Sequence, residues 1–441
     1  MLTYRLLMCF FLALCFQWWT TSVWSDTDVE LNNPFALGLH YMEMEQYDKA
    51  LAAFNVIRKQ EPSSGIYCYI GMVLQEQNRL SEALEAYQNA LTFKAPPQIH
   101  GSAHLHLGIV YKAQGKLRPA ETHLEEALAL TPETPEAHIH LGEVYLLQRR
   151  LDKAERAYRQ SIRLNPNFTQ SYYGLGRVAE MQKDYISAIQ DFQRAIKQNS
   201  YDPQPHYRLA MAYRCLQEQE AAEKAMAQFE RMKSYSDNVH RFRETIYKNP
   251  NTPILYVKLG ELHEKFDNFA DAQRVYQTAI TLHPTFLPAY HSFGTALIRQ
   301  RALEEATAVY LKITEIKPDD VQAWLKLGVI YINRQQFEPA IEAFKQAITA
   351  DDTSGEAYNN LARVYAGLGS ETKKAIVLAE KAIALSPIPK HYDTLAYTYF
   401  RDGQYPEALV AINRAVTLAP DEAAYGSFRT KIQEKMKKNR K

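Results

Sequence analysis

The amino-acid sequence predicts an all-α solenoid of about eleven stacked helix pairs, closed by a C-terminal capping helix. The main observation is a small residue that returns at a nearly constant interval, 34 residues over most of the chain. A fixed interval of this length is typical of stacked repeats, in which each unit packs on its neighbours. This small position is found at Gly38, Gly71, Gly108, Gly142, Gly176, Ala210, Gly260, Gly294, Gly328, Ala362 and Ala396.

Each repeat contains two segments with the spacing of an amphipathic helix. In the fourth repeat, Leu141, Gly142 and Tyr145 lie one turn apart on a first face. Ala154 and Tyr158 share the face of a second segment. A short polar turn separates the two segments, and a proline closes many repeats because it ends a helix before it. Every repeat is therefore predicted to be a pair of helices, and no segment is predicted to be a strand.

The small position has a physical reason. Glycine inside a helix costs up to about 1 kcal/mol relative to alanine, so its regular return needs a compensating gain. Two helices can approach closely only where one of them lacks a bulky side chain. We therefore expect each small position to mark the crossing of two helices.

An aromatic residue often precedes the small position by four residues, as at Tyr172, Tyr256 and Trp324. Together with the small position and the two helical faces, this pattern resembles the tetratricopeptide repeat (TPR) family over nearly nine-tenths of the chain. The resemblance implies a right-handed superhelix of TPR helix pairs with a concave groove that holds protein or peptide partners. It implies no catalysis, and it does not identify the partner.

The regular interval is broken once, where sixteen extra residues separate the sixth repeat from the seventh. These residues, 237–252, carry an apolar face at helical spacing, so we expect an orphan second helix, with a long loop as the alternative. The chain then divides into a block of six repeats over residues 31–236 and a block of five over 253–422. Residues 423–441 are expected to form a basic capping helix. Its apolar stripe is Tyr425, Phe428, Ile432 and Met436.

Residues 1–25 have a different composition. One cation, Arg5, precedes an apolar run, and small and polar residues follow up to Ser25. This arrangement resembles a secretory signal peptide that is cleaved before Asp26. An uncleaved membrane anchor over residues 6–24 is the alternative, although a span needs about 20 apolar residues. We therefore expect a periplasmic or secreted protein, with membrane anchoring as the second possibility.

Composition and motifs exclude several functions. The chain has 51 basic and 50 acidic side chains, whereas a general nucleic-acid binder would show a basic excess. The histidine pairs His104/His106 and His138/His140 have members two residues apart, which do not share a helix face and cannot chelate together. No phosphate loop or metalloprotease motif is present. We expect no nucleic-acid partner, no metal, no cofactor and no enzymatic activity.

The resemblance implies that four positions of each first helix face the groove: three and two residues before the small position, and one and four residues after it. In repeats one to four these positions carry an apolar stripe made of Phe35, Leu39, Met42, Met72, Leu105, Ile109 and Ile139, followed by Glu143. The later groove residues are Tyr173, Arg177, Tyr207, Arg214, Asn359, Asn360 and Arg363, together with Lys390.

A contiguous apolar stripe usually marks an interaction site, and amphipathic helices dock in such grooves. We therefore expect the stripe to hold an apolar helix or extended segment. The alternative is that neighbouring repeats, or residues 26–32, bury it. The sequence thus predicts a non-catalytic scaffold that binds a protein or peptide and assembles a complex outside the cytoplasm. An accessory or regulatory subunit of a separate enzyme is the alternative.

Overall fold

The computed structural model describes residues 33–43, 46–369 and 371–438, and within these ranges it contains twenty-three α-helices and no β-strand. The chain divides into two compact units, with the division between Lys233 and Ser234. The helices of the first six repeats are α1 Pro34–Glu43, α2 Tyr47–Gln60, α3 Ser64–Glu76, α4 Leu80–Ala90, α5 Pro97–Ala113, α6 Leu117–Leu130, α7 Pro135–Leu147, α8 Leu151–Leu164, α9 Thr169–Met181, α10 Tyr185–Gln198, α11 Pro203–Cys215 and α12 Gln219–Lys248.

Five further repeats and a last helix complete the array. They are α13 Pro253–Lys265, α14 Phe269–Leu282, α15 Leu287–Arg299, α16 Leu303–Ile316, α17 Val321–Asn333, α18 Phe337–Ala350, α19 Gly355–Leu368, α20 Thr372–Leu385, α21 Pro389–Arg401, α22 Tyr405–Leu418 and α23 Ala423–Lys438. The predicted all-α solenoid of eleven helix pairs and a capping helix is confirmed.

The two helices of a repeat are joined by the same tight turn. Seven residues after the small position the backbone adopts a left-handed φ, for example 63° at Lys183 and 82° at Gly403. The next backbone N–H, that of Asp184, donates to the carbonyl oxygen of Ala179 at 2.9 Å, which closes a Schellman motif. The left-handed φ recurs in ten repeats of the described chain, and nine of them also show this hydrogen bond.

The prediction that small positions mark helix crossings is confirmed. A Cβ atom added to Gly328 would lie 2.4 Å from Cε1 of Phe344, and one added to Gly176 would lie 2.5 Å from Cε1 of Phe192. Each of these rings comes sixteen residues after its glycine and is fully buried. Where the small position is alanine, the equivalent residue of the second helix has no ring: it is Met226 in repeat six, Ile412 in repeat eleven and, after the one-residue longer turn of repeat ten, Ala379. The volume missing from one helix is therefore filled by the other.

The sixteen extra residues extend the second helix of repeat six. Helix α12 runs for 30 residues without a break, so both the loop and the separate orphan helix are wrong. The extension packs on α13 through Tyr235, whose hydroxyl lies 2.7 Å from Nδ1 of His263. The same hydroxyl accepts a hydrogen bond from the Asn268 side-chain amide at 2.8 Å. Burial lowers the pKa of His263 to about 4. The neutral ring therefore accepts a hydrogen bond from the Tyr235 hydroxyl.

Helix α23 closes the array as predicted. Ile432 is fully buried against the last repeat, and the other members of the predicted apolar stripe pack on the same cluster. Its last turn carries Lys435, Lys437 and Lys438, and positive charge is favourable at the carboxyl end of a helix. This helix gives the solenoid a polar outer face at its end.

Candidate partner-binding face

The first helices of the repeats lie on the inner side of each unit. In the first unit α3 contacts α5, α5 contacts α7 and α7 contacts α9. In the second unit α13 contacts α15 and α19 contacts α21. Among the described helices, the second helices of successive repeats make no comparable contact. The four groove positions of the first helices therefore line what we call the inner face.

Two residues of the apolar stripe belong to the core. Leu105 is 4% exposed and Ile139 is 1% exposed, and both pack within one buried cluster of repeats three to five. The alternative that neighbouring repeats bury the stripe is thus correct for these two residues. The prediction that they line an open groove is wrong, because a buried side chain presents no surface to a partner.

The rest of the apolar stripe is half-buried. The ring of Phe35 lies edge-on to Tyr69, with centroids 5.1 Å apart. The other members pack at the edge of the two core clusters, and they are Leu39, Met42, Met72 and Ile109. Residues 26–32, the other suggested cover for the stripe, lie outside the described residues.

A polar cluster joins repeats three and four on the inner face. The Lys112 ammonium forms an ion pair with the Glu143 carboxylate and lies 3.1 Å from Nδ1 of His140. Burial opposes ionisation of Glu143, but the adjacent His140 and Lys112 outweigh it and lower the pKa of the carboxyl to about 2. Glu143, a predicted groove residue, is therefore engaged within the protein. Sequence analysis missed Lys112, although it lies four residues after Gly108 and the groove positions include it.

His106 is a buried histidine that has no hydrogen-bond partner among the described residues. Its ring is 6% exposed and stacks on Tyr87 with centroids 5.2 Å apart. No described residue places a hydrogen-bond donor or acceptor within reach of Nδ1 or Nε2 of this ring. Burial, with a smaller effect from His140, lowers the pKa of His106 from 6.5 to about 4. A neutral imidazole is thus built into repeat three.

Repeats five and six present a different surface. Tyr173 and Arg177 come from α9, and Tyr207 and Arg214 come from α11; we call these four residues the arginine–tyrosine face. The Arg177 guanidinium lies 5.9 Å from the centroid of the Tyr173 ring. It has no carboxylate partner among the described residues. Tyr207 and Arg214 are exposed.

Other charges of the first helices are paired between successive repeats. The ion pairs, by their N–O distances, are Arg208–Glu180 at 3.2 Å, Arg363–Asp393 at 2.9 Å and Lys390–Glu356 at 3.6 Å. Two predicted groove residues, Arg363 and Lys390, are thus held by acidic side chains of adjacent repeats.

The asparagines of repeat ten occupy different environments. Asn359 is fully buried and its side-chain amide donates to Oδ1 of Asn360 at 3.4 Å. Within the described ranges, the Oδ1 atom of Asn359 has no hydrogen-bond partner. The prediction that Asn359 lines the groove is therefore wrong, whereas Asn360 remains half-exposed.

The predicted signal peptide or anchor falls on residues 1–25, which lie outside the described residues. Within the described part of the chain, no helix combines the length and the apolar character needed to cross a membrane.

Repeated helix pairs, small-residue crossings and an inner face made from first helices define a helical-repeat scaffold. The profile of the tetratricopeptide repeat matches residues 35–98, 105–167, 148–203 and 257–321, and a second profile of the same repeat matches residues 321–354. The chain belongs to the tetratricopeptide repeat family. It is accordingly a protein-interaction scaffold.

Several solved structures share this fold. Yeast Tom70 is 14% identical, with 92% of this chain and 96% of Tom70 covered and a TM-score of 0.39. A repeat protein of Thermus thermophilus, TTC0263, is 19% identical, covers 41% of this chain and 99% of its own, and has a TM-score of 0.34. YrrB, described as a repeat protein with an unusual peptide-binding site, is 17% identical over 43% of this chain and 97% of its own, with a TM-score of 0.36. At these scores the likenesses carry no functional information. No curated protein matches the chain.

Proposed function

We propose that the chain is a non-catalytic scaffold that binds a protein or peptide segment on the arginine–tyrosine face. The observation that carries this proposal is Arg177, an inner-face cation without a carboxylate partner among the described residues. Arg208, Arg363 and Lys390 on the same side are each paired with an acidic residue. An arginine without a carboxylate partner among the described residues, one repeat before the exposed Tyr207 and Arg214, leaves room for a carboxylate from a partner.

The composition of this face suits protein recognition. Tyrosine and arginine are enriched at interfaces and among the residues that contribute most to binding. Arginine binds a carboxylate through two parallel hydrogen bonds, and its planar group also stacks on aromatic rings. The Tyr173 ring supports Arg177 in this way. The partner segment is therefore expected to carry acidic residues next to apolar or aromatic ones.

Site-specific photo-crosslinking tests the proposal. A benzophenone amino acid replaces Tyr207 on the inner face or, as the control, exposed Ile186 on second helix α10. We expect a discrete adduct from position 207 and none of the same mass from position 186. Equal adducts from both positions would contradict the proposal. If the adduct contains an enzyme whose activity the chain alters, the chain is the accessory subunit of that enzyme.

We also propose that residues 1–25 direct export and are removed before Asp26. The support is the order of one cation, an apolar run and small residues in this segment. Intact-mass measurement of the protein from its native cell tests this. A mature chain that begins at Asp26 is the expected result, and a full-length chain in the membrane fraction would instead indicate an anchor over residues 6–24.

A further inference from the structure

Three side chains of repeat three meet at one point, away from the arginine–tyrosine face. His104 comes from α5, and His123 and Glu126 come from α6. The His104 Nδ1 atom lies 3.0 Å from His123 Nδ1 and 2.8 Å from Glu126 Oε2. The third side of the triangle, from His123 Nδ1 to Glu126 Oε2, is 3.1 Å. All three ligand-type atoms are therefore in mutual contact.

Hydrogen bonds alone do not make all three contacts among the two Nδ1 atoms and the Glu126 carboxylate oxygen favourable. If only one of the two Nδ1 atoms carries a proton, the lone pair of the other faces the carboxylate oxygen at about hydrogen-bond distance, which is repulsive. If both Nδ1 atoms carry protons, two N–H groups face each other. As long as the carboxylate carries no proton, every arrangement of imidazole protons leaves one unfavourable side. A cation at the centre removes the conflict, because all three atoms then direct lone pairs at it.

The spacing suits one small transition-metal ion. Metal bonds of about 2.0–2.2 Å from nitrogen and oxygen place neighbouring ligand atoms about 3.0–3.5 Å apart at octahedral or tetrahedral angles. Two imidazoles and one carboxylate are ligands that zinc and related divalent ions accept, with water in the remaining positions. The carboxylate is about half-exposed, with 48% of the Glu126 side chain accessible, so an ion and its water can enter.

The surroundings also orient one of the ligands. The Tyr111 ring stacks on His123 with centroids 5.4 Å apart and planes at 5°, which holds the imidazole plane in position. Groups that orient metal ligands in this way tune affinity. The next repeat provides a natural comparison, because His138 takes the place of His104 but Ala157 and Gln160 replace His123 and Glu126.

We propose that His104, His123 and Glu126 form a divalent transition-metal site of the zinc class in repeat three. The sequence predicted no metal, because the histidine pairs it offered lie either two residues or one repeat apart. That prediction missed this site because the ligands come from two helices. The signal in the sequence is the i, i+3 spacing of His123 and Glu126, which places both on one helix face.

The test is a titration of the full chain without an affinity tag, after chelator treatment and dialysis. Zn²⁺ is added in a calorimeter, and Co²⁺ is followed by its visible absorption. We expect one equivalent to bind. His123→Ala and Glu126→Gln should each weaken binding by about 10–100-fold or more, and His138→Ala should bind as the unchanged protein does.

Folding is checked in the same samples by circular dichroism and thermal melting. Glu126→Gln changes a half-exposed side chain and should leave the metal-free melting temperature nearly unchanged. Zn²⁺ should raise the melting temperature of the unchanged protein and of His138→Ala, but not that of Glu126→Gln. Absence of binding, or binding that Glu126→Gln and His123→Ala leave unaltered, would overturn the proposal.

Discussion

The inner face of repeats three and four and that of repeats five and six use the same helix positions for opposite purposes. Leu105 and Ile139 lie three residues before their small positions and are buried. Tyr173 and Tyr207 occupy the equivalent places in the next two repeats and reach the surface. Apolar residues at these positions therefore join the core between repeats, whereas tyrosine and arginine remain available for a partner.

The largest effect is expected when a charge is placed at the buried position of repeat three. Leu105→Glu should lower the free energy of unfolding by more than about 3 kcal/mol, because it buries a carboxylate without a partner. Ile109→Lys on the half-buried neighbour should cost much less. The sequence predicted that Leu105 lines an open groove, where a charge would cost little, and the burial of Leu105 reverses that expectation. Urea unfolding of the two variants measures it, and near-equal stabilities would show that Leu105 is not a core residue.

A core change far from repeats five and six should affect stability without affecting recognition. Gly328→Leu overpacks the crossing with Phe344, whose ring would lie 2.4 Å from an added Cβ, at a cost of about 1–3 kcal/mol. In a solenoid the damage stays near the altered repeat. Amide exchange should therefore rise around repeats eight to ten, while crosslinking from position 207 persists.

A matched variant tests whether the Phe344 ring causes this loss of stability. Gly328→Ala combined with Phe344→Ile reproduces the Ala396 and Ile412 pair of repeat eleven. It should be more stable than Gly328→Ala alone, and the reverse order would show that the ring does not limit the crossing.

The buried imidazole of His106 should make stability depend on pH. Its pKa is lowered from 6.5 to about 4, so the unfolded chain takes up a proton at a pH where the folded chain does not. This contribution is fully present above about pH 6.5 and is lost as the pH falls toward 4, at about 1.4 kcal/mol per pH unit. His106→Phe keeps the stacking on Tyr87 and should reduce the slope in this window by about 1.4 kcal/mol per pH unit, while the similar contribution of His263 remains. Denaturant unfolding at pH 7, 5.5 and 4.5 measures the slope, and an unchanged slope would contradict the burial of a neutral ring.

The smallest expected effect comes from the turn of repeat five. Lys183 has a left-handed φ of 63°, which costs a residue with a side chain more than it costs glycine. Lys183→Gly should stabilise the protein by about 0.5–1 kcal/mol without altering partner binding. Gly115→Ala, at a φ of 74° with no atom within 4 Å of the added methyl, should change stability in the opposite direction. Thermal melting of both variants is sufficient, and shifts of the same sign would refute the turn assignment.

The sequence was sufficient to predict features that depend on one repeat. The small position and the ring sixteen residues later lie in the same repeat, so their spacing alone predicts the crossing. The apolar stripe of α23 can likewise be read directly from the spacing of its residues. The continuity of α12 could also have been predicted, since no glycine or proline interrupts residues 219–248.

Exposure on the inner face could not be predicted from groove positions alone. It depends on which side chains the adjacent repeats supply: Leu105 and Ile139 lie in one apolar cluster, whereas Arg177 meets the Tyr173 ring and no carboxylate among the described residues. Such contacts between repeats are a property of the folded array. The meeting of His104 with His123 lies within one repeat, but it could not be predicted either, because it depends on the register of two packed helices.

The central claim is that repeats five and six recognise the partner through the arginine–tyrosine face. The most direct measurement is partner binding and melting of the double variant Arg177→Glu with Arg214→Glu, beside Lys197→Glu on exposed second helix α10 as the matched charge reversal. The account predicts that the double variant loses the adduct from position 207 and melts as the unchanged protein does, while Lys197→Glu retains both properties. Retention of the adduct in the double variant would contradict the account.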